Sequence, residues 1–98
     1  MAVFSVHRIR QTAQRVVVLQ YPGLDTGPAL MVAPLYPAEA KLELEVVTPR
    51  VEIGGEAFLV ATHLMAAVHR GDLGAAETSL AAYEYPIAKA INRLFFGI

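Results

Sequence analysis

Val51-Glu52-Ile53, then Gly54-Gly55, then Glu56-Ala57-Phe58-Leu59-Val60, constrains the fold more than any other stretch of the chain. Two β-prone runs flank a pair of glycines, and a two-residue primed turn needs positive φ at both central positions. A β-hairpin is the reading, and it commits the chain to an antiparallel sheet. The neighbouring segments agree with it. Val3 to Ile9 and Arg15 to Gln20 read as strands joined by a polar hairpin loop, Arg10 to Gln14. Within the second, Val16-Val17-Val18-Leu19 is a continuous apolar run, as expected of a strand buried on both faces. Tyr21 to Pro28 is rich in turn residues and reads as a loop. Leu30 to Ala33 returns to strand, after which Pro34 and Pro37 remove two backbone donors, so the stretch ends, bends or lies at an edge. Leu42-Glu43-Leu44-Glu45-Val46 alternates with period two and predicts a strand with one wet face. Leu64 to Val68 fits a short helix or a strand, and Gly71, Asp72 and Gly74 mark a further loop.

Near the C-terminus the period changes. Ile87, Ile91, Leu94 or Phe95, and Ile98 recur at helical spacing among good helix formers, predicting an amphipathic helix from about Tyr83–Pro86 to about Phe95. Pro86 belongs in the first turn, because deeper in the helix it would delete a hydrogen bond and clash with the preceding turn. Glu84 suits the positive end of the helix dipole, and Gly97 is placed to end the helix. No repeat or linker interrupts the 98 residues, so a single domain, 1–98, is expected.

Composition narrows the function classes. Eight basic and nine acidic residues leave a net charge of −1, which disfavours a protein that works by neutralising phosphates. The absence of cysteine removes disulfides, thiolate nucleophiles and Cys-based metal sites, and suits a cytoplasmic protein. No apolar run approaches a bilayer span, and Met1 to Phe4 leads directly to Arg8 and Arg10, unlike a signal peptide. With 55% hydrophobic and 17% charged residues, the chain carries more apolar surface than a domain of this size can hide. For this mass, scaling gives roughly 5,500 Å² of folded surface against about 15,000 Å² extended. Part of the surplus is therefore expected to lie against another protein, in a dimer, a partner complex or both.

Side chains with chemical potential do not assemble into a recognisable catalytic pattern. His63 and His69 are six apart, matching neither a helical nor a strand pair of metal ligands, and His7 lies alone in a strand. Ser5 and Ser79 lack a nucleophile-elbow context, and Gly54-Gly55 is explained by its hairpin. Glu43, Glu45, Glu52 and Glu56 read as solvated strand faces. No catalytic residue, metal or cofactor is expected, and a non-enzymatic binder is favoured. The ending, Ala90-Ile91-Asn92-Arg93-Leu94-Phe95-Phe96-Gly97-Ile98, is unusual because termini are ordinarily polar and frayed. Ile91 and Leu94 are expected to dock into the core. The stripe 87, 91, 94, 98 leaves Phe96 and Asn92 pointing elsewhere, an arrangement suited to anchoring in another protein's pocket.

At these residues the chain resembles the CcdB family, toxins of type II toxin–antitoxin systems that poison DNA gyrase. Ala90-Ile91-Asn92, Phe95, Gly97 and Ile98 stand in the family's terminal pattern. Gln20 and Leu24-Asp25-Thr26, Met31-Val32-Ala33-Pro34-Leu35, Ile53-Gly54 with Glu56, and Met65-Ala66 extend the likeness along nearly the whole chain. The resemblance implies a mainly β fold with a C-terminal α-helix, an SH3-like barrel of the kind CcdB shares with the MazF and Kid toxins. It also implies a homodimer whose paired tails enter the gyrase A-subunit dimer and hold gyrase on cleaved DNA. Carried over by position, gyrase contact falls on Leu24, Asn92, Phe95, Phe96, Gly97 and Ile98. A CcdA-like antitoxin would bind elsewhere on the dimer, at residues the sequence does not assign.

Three positions depart from the family pattern. Phe96 replaces a tryptophan, the best aromatic partner for a cation. Gly23 occupies an apolar position, and Pro86 has no counterpart in the family's helix. Two alternatives accompany the gyrase reading. One is a ribonuclease on the same barrel using His63, His69, Arg70 and Asp72; the other is a degenerate toxin that binds only its antitoxin in a repressor complex.

Overall fold

The computed structural model describes residues 1–98. In chain order come β1 (Ser5–Arg8), β2 (Arg15–Val18), β3 (Ala29–Pro37), β4 (Arg50–Ile53), β5 (Glu56–Val60), β6 (Ala66–His69), β7 (Thr78–Ser79) and α1 (Glu84–Phe96). Every pairing is antiparallel, in the order β4-β5-β3-β2-β1-β7, with β6 added to β3. The result is a mainly antiparallel near-barrel with one C-terminal helix, as the SH3-like expectation held.

The nine-residue β3 is the spine of this arrangement. One edge pairs with β2, from Val16 opposite Pro34 to Val18 opposite Val32. Along the other edge, residues 29–32 pair with β6 and residues 35–37 with β5. Pro34 sits at the changeover. It offers no N–H there, while its carbonyl accepts from Ala61 N at 3.0 Å. Of the three outcomes the prolines allowed, the strand bends and changes partners.

The Gly54-Gly55 hairpin forms as read, with φ of 58° and 82° at the two glycines and Ile53 opposite Glu56. Val16, Val17 and Val18 are all buried, and they divide between two cores. Val17 faces Phe4, Val6, Leu35, Val60 and Ile87, while Val16 and Val18 face Leu30, Val32 and Leu73. A continuous apolar strand is what two-faced burial requires. Leu64 to Val68 divides into the end of a 3-10 turn, Thr62–Leu64, and the strand β6.

One strand expectation fails. Leu42 to Val46 is not a strand: residues 42–44 join no sheet, and a turn follows. Thr48 explains the difference, since its hydroxyl accepts from Leu44 N at 2.7 Å and donates to Leu44 O at 2.8 Å. Those are the two backbone groups a strand would offer to a neighbour. Val46 takes φ 70°, which breaks the extended path, and Leu42 and Leu44 are left exposed.

Candidate functional site

Helix α1 runs from Glu84 to Phe96 with Glu84 in its first turn and Pro86 at its third residue, so the proline's missing N–H costs no helical bond. Ile87 and Ala90 are fully buried and Ile91 is half-buried; together with Tyr83 they fix the helix to the larger core. Tyr83 adds a polar tether, its hydroxyl accepting from Glu52 N at 3.1 Å. Gly97 ends the helix in the left-handed region at φ 72°, with its N–H donating to Arg93 O at 3.0 Å. Arg93 Nη1 donates back to Gly97 O at 3.0 Å, closing the cap. A residue with a side chain would be strained at that φ.

Beyond Ile91 the helix leaves its own core. Phe95 is 60% exposed, Phe96 72% and Ile98 82%, and Asn92 and Gly97 are exposed with them. Leu94 corrects the sequence reading: it is 36% exposed and stands outside the core instead of docking into it, the helix's buried contacts coming from Ile87, Ala90 and Ile91. The turn at Gly97 carries Ile98 back beside the helix, where it lines a cavity of about 270 Å³ together with Asn92. Asn92, Phe95, Phe96, Gly97 and Ile98 therefore share one end of the molecule.

Leu24 is held separately. It is 59% exposed in the β2–β3 loop, whose own side chains bond locally: Gln20 Nε2 donates to Thr26 Oγ1, Thr26 Oγ1 to Ala29 O, and Gly27 N to Asp25 Oδ1. Gln20 Oε1 also accepts from Met31 N, pinning the loop to β3. No hydrogen bond joins this loop to α1, so within one chain Leu24 and the tail are independent surfaces. At Gly23 the Tyr21 ring lies so close that a Cβ would stand 2.6 Å from it. Tyr21, itself largely exposed, supplies apolar surface where Gly23 has none, a contact that residue-by-residue matching missed.

The histidines are occupied or apart. His7 is buried, with Nε2 2.8 Å from Ser5 Oγ and Nδ1 2.9 Å from Gly74 O. Nδ1 donates to the carbonyl, which leaves Nε2 to accept from the serine. His69 Nδ1 accepts from Gly71 N at 2.9 Å and caps the following turn, while His63 lies in the 3-10 turn that packs against α1. Arg70 reaches a loop carbonyl, Gly27 O, at 3.5 Å. No hydrogen bond links His63, His69, Arg70 and Asp72 to one another. A second cavity, of about 290 Å³, lies between the β1–β2 turn and the β3–β5 pair and is lined in part by Arg8, Arg15 and Phe58. Glu77 pairs with Arg8 Nε at 2.8 Å and Arg15 Nε at 3.1 Å, and Arg15 sits 5.4 Å above the Phe58 ring. The Arg8 hydrogen bond, aided by Arg15, holds the Glu77 carboxyl below its usual range. Its lining is scattered from residue 8 to 58, so no local motif announces it.

Comparison with known proteins agrees with this architecture. The chain is similar in structure to the Mycobacterium tuberculosis toxin MazF-mt6, with a TM-score of 0.75 at 20% identity, covering 93% of this chain and 95% of that one. An antiparallel near-barrel closed by a C-terminal helix thus places the molecule in the fold class of the MazF toxins. The CcdB protein family model matches residues 2–97, and the chain belongs to the CcdB family. No match is found among curated protein sequences.

Proposed function

We propose that this chain is the toxin of a type II toxin–antitoxin system and acts in the cytoplasm as a homodimer that poisons DNA gyrase. The tail, Phe95, Phe96, Gly97 and Ile98 with Asn92, enters the gyrase A-subunit dimer, and Leu24 adds contact from the loop. Family membership supports the reading, and one observation carries it: the last apolar side chains stand outside their own core on a capped, well-anchored helix. Phe96 and Ile98 serve as anchors, Asn92 as a polar contact, and Gly97 allows close approach. The chain makes and breaks no bonds in this scheme. A ligand that fits only the gyrase state with open, cleaved DNA draws the population into that state by its differential affinity. A CcdA-like antitoxin, disordered until bound, covers part of the remaining apolar surface, which includes Leu42, Leu44 and Leu64.

The test is a cleavage assay. Purified protein is mixed with gyrase, supercoiled plasmid and ATP, then denatured with detergent and protease, alongside an incubation with RNA. Linear DNA that disappears on deleting Gly97 and Ile98 is the expected result. RNA fragments without linear DNA would replace this reading with the ribonuclease one, and inertness in both arms would leave a protein that binds only its antitoxin.

A further inference from the structure

The pocket between the β1–β2 turn and the β3–β5 pair takes no part in the gyrase reading and shares no residue with the tail. Its charge is unbalanced. Glu77 gives one oxygen to Arg8 Nε at 2.8 Å and the other to Arg15 Nε at 3.1 Å, so a single carboxylate serves two guanidinium groups. The Arg8 hydrogen bond holds that carboxyl below its usual range, so it is ionised at neutral pH and the trio carries one surplus positive charge. Both arginines reach Glu77 through Nε alone, which leaves their Nη groups without a partner in the chain. Arg15 is the less solvated of the two, with a side chain 27% exposed and its guanidinium 5.4 Å from the centre of the Phe58 ring.

The surrounding walls are held in place. Gln14 Nε2 donates to Arg15 O at 2.9 Å and to Leu35 O at 2.8 Å, tying the turn to β3. Gln14 N donates to Thr12 Oγ1 at 3.2 Å, and the Thr12 hydroxyl hydrogen is left to donate in its turn. Leu35 and Phe58, both buried, contribute apolar lining together with Pro37. Two guanidinium forks pinned by one carboxylate, with a hydroxyl beside them, suit the several acceptor oxygens of a phosphate better than the two of a carboxylate.

We infer that this pocket binds the phosphate group of a small molecule, held between Arg8 and Arg15 with Thr12 as a further donor. At about 290 Å³ it lies near the lower end of ligand sites and has room for a ring beside the phosphate, as in a nucleoside monophosphate. Inorganic phosphate offers the same chemistry without the ring. A nucleic-acid strand is the poorer occupant, because it calls for a row of cations, and here one surplus charge stands in a chain of net charge −1.

The test is an NMR titration of the full chain in buffer free of phosphate and sulfate, following the Nε–H signals of Arg8 and Arg15 and the backbone amides of Thr12 to Arg15. The probes are inorganic phosphate, adenosine 5′-monophosphate, adenosine and a short single-stranded RNA. The monophosphate, inorganic phosphate or both should shift these signals saturably with a Kd below about 5 mM, and adenosine should leave them in place. Tighter binding of the monophosphate identifies a phosphorylated small molecule, whereas binding of inorganic phosphate at least as tight identifies phosphate itself; either supports the inference. Arg8→Gln, at a half-exposed side chain, should weaken binding roughly tenfold or more, and Arg8→Lys, which keeps the charge and loses the fork, should recover part of that loss. Thermal melts verify that both variants fold, and the position of the wild-type shifts is a readout that needs neither. Saturation only above about 5 mM for both phosphates means an adventitious ion only and overturns the inference. Shifts scattered away from the pocket, equal binding of adenosine, affinity unchanged in folded Arg8→Gln, or RNA binding tighter than the monophosphate overturn it too. None of these results bears on the gyrase reading, which stands on the tail and has its own assay.

Discussion

Replacing Phe96 with Ala separates folding from targeting. The ring is 72% exposed, so it contributes little to its own domain, and the substitution should change the unfolding free energy by no more than about 0.5 kcal/mol. For a partner that buries it, the stake is larger. Full burial of an aromatic side chain removes on the order of 150 Å² or more from water, so about 110 Å² is still available at Phe96. At roughly 25 cal/mol per Å² that surface corresponds to about 2.7 kcal/mol, of which the alanine methyl keeps a part. A net loss of about 2 kcal/mol is a weakening of roughly thirtyfold in Kd. Urea unfolding followed by circular dichroism gives the first quantity and titration of the gyrase A subunit gives the second. A stability loss above about 1 kcal/mol would show that the ring packs on its own domain, and an unchanged Kd would show that it anchors nothing; either outcome refutes the reasoning.

Three further outcomes follow from the packing. Ile87→Ala empties a fully buried site where the helix meets the sheet and should cost about 2–5 kcal/mol in urea unfolding, the opposite signature to Phe96→Ala. Glu77→Gln should cost about 1 kcal/mol or less at pH 7, since the pair with Arg8 and Arg15 is partly solvated. The native carboxyl titrates below its ordinary 4.5, so the wild-type advantage is present above that pH and fades as pH falls through the lowered native value; paired unfolding curves at pH 7 and in acid show whether it does. Val46→Asn should raise the melting temperature, because a β-branched residue at φ 70° is strained by about 1 kcal/mol or more and asparagine tolerates that conformation.

Much of this was legible from residue patterns because the decisive signals are local. The glycine pair fixed a turn, the valine run implied burial on both faces, and Pro86 with Gly97 bracketed the helix. Leu42 to Val46 misled because alternation reports only that one face is wet. Whether the backbone pairs depends on competitors, and here the Thr48 hydroxyl takes the groups of Leu44. Leu94 misled for a related reason: helical periodicity identifies a stripe but not where the surface beneath it ends. At the candidate site, the tail's exposure followed from its composition, whereas the placing of Ile98 beside Asn92 did not, since it depends on the turn at Gly97. Tyr21 over Gly23 was equally invisible, being a matter of ring position across a loop.

The order in which the sheet closes bears on how the molecule is made. Val6 pairs with Thr78 and Ser5 with Ser79, while Ile87 completes the core beneath Phe4 and Val17. Synthesis proceeds from the N-terminus, so the outer edge of β1, though its other edge pairs locally with β2, must wait for its partner until nearly the whole polypeptide has emerged. Such distant pairings make for slow assembly and expose sticky intermediates in the meantime. A nascent chain stalled before residue 78 has neither a closed sheet nor the helix that presents the ending.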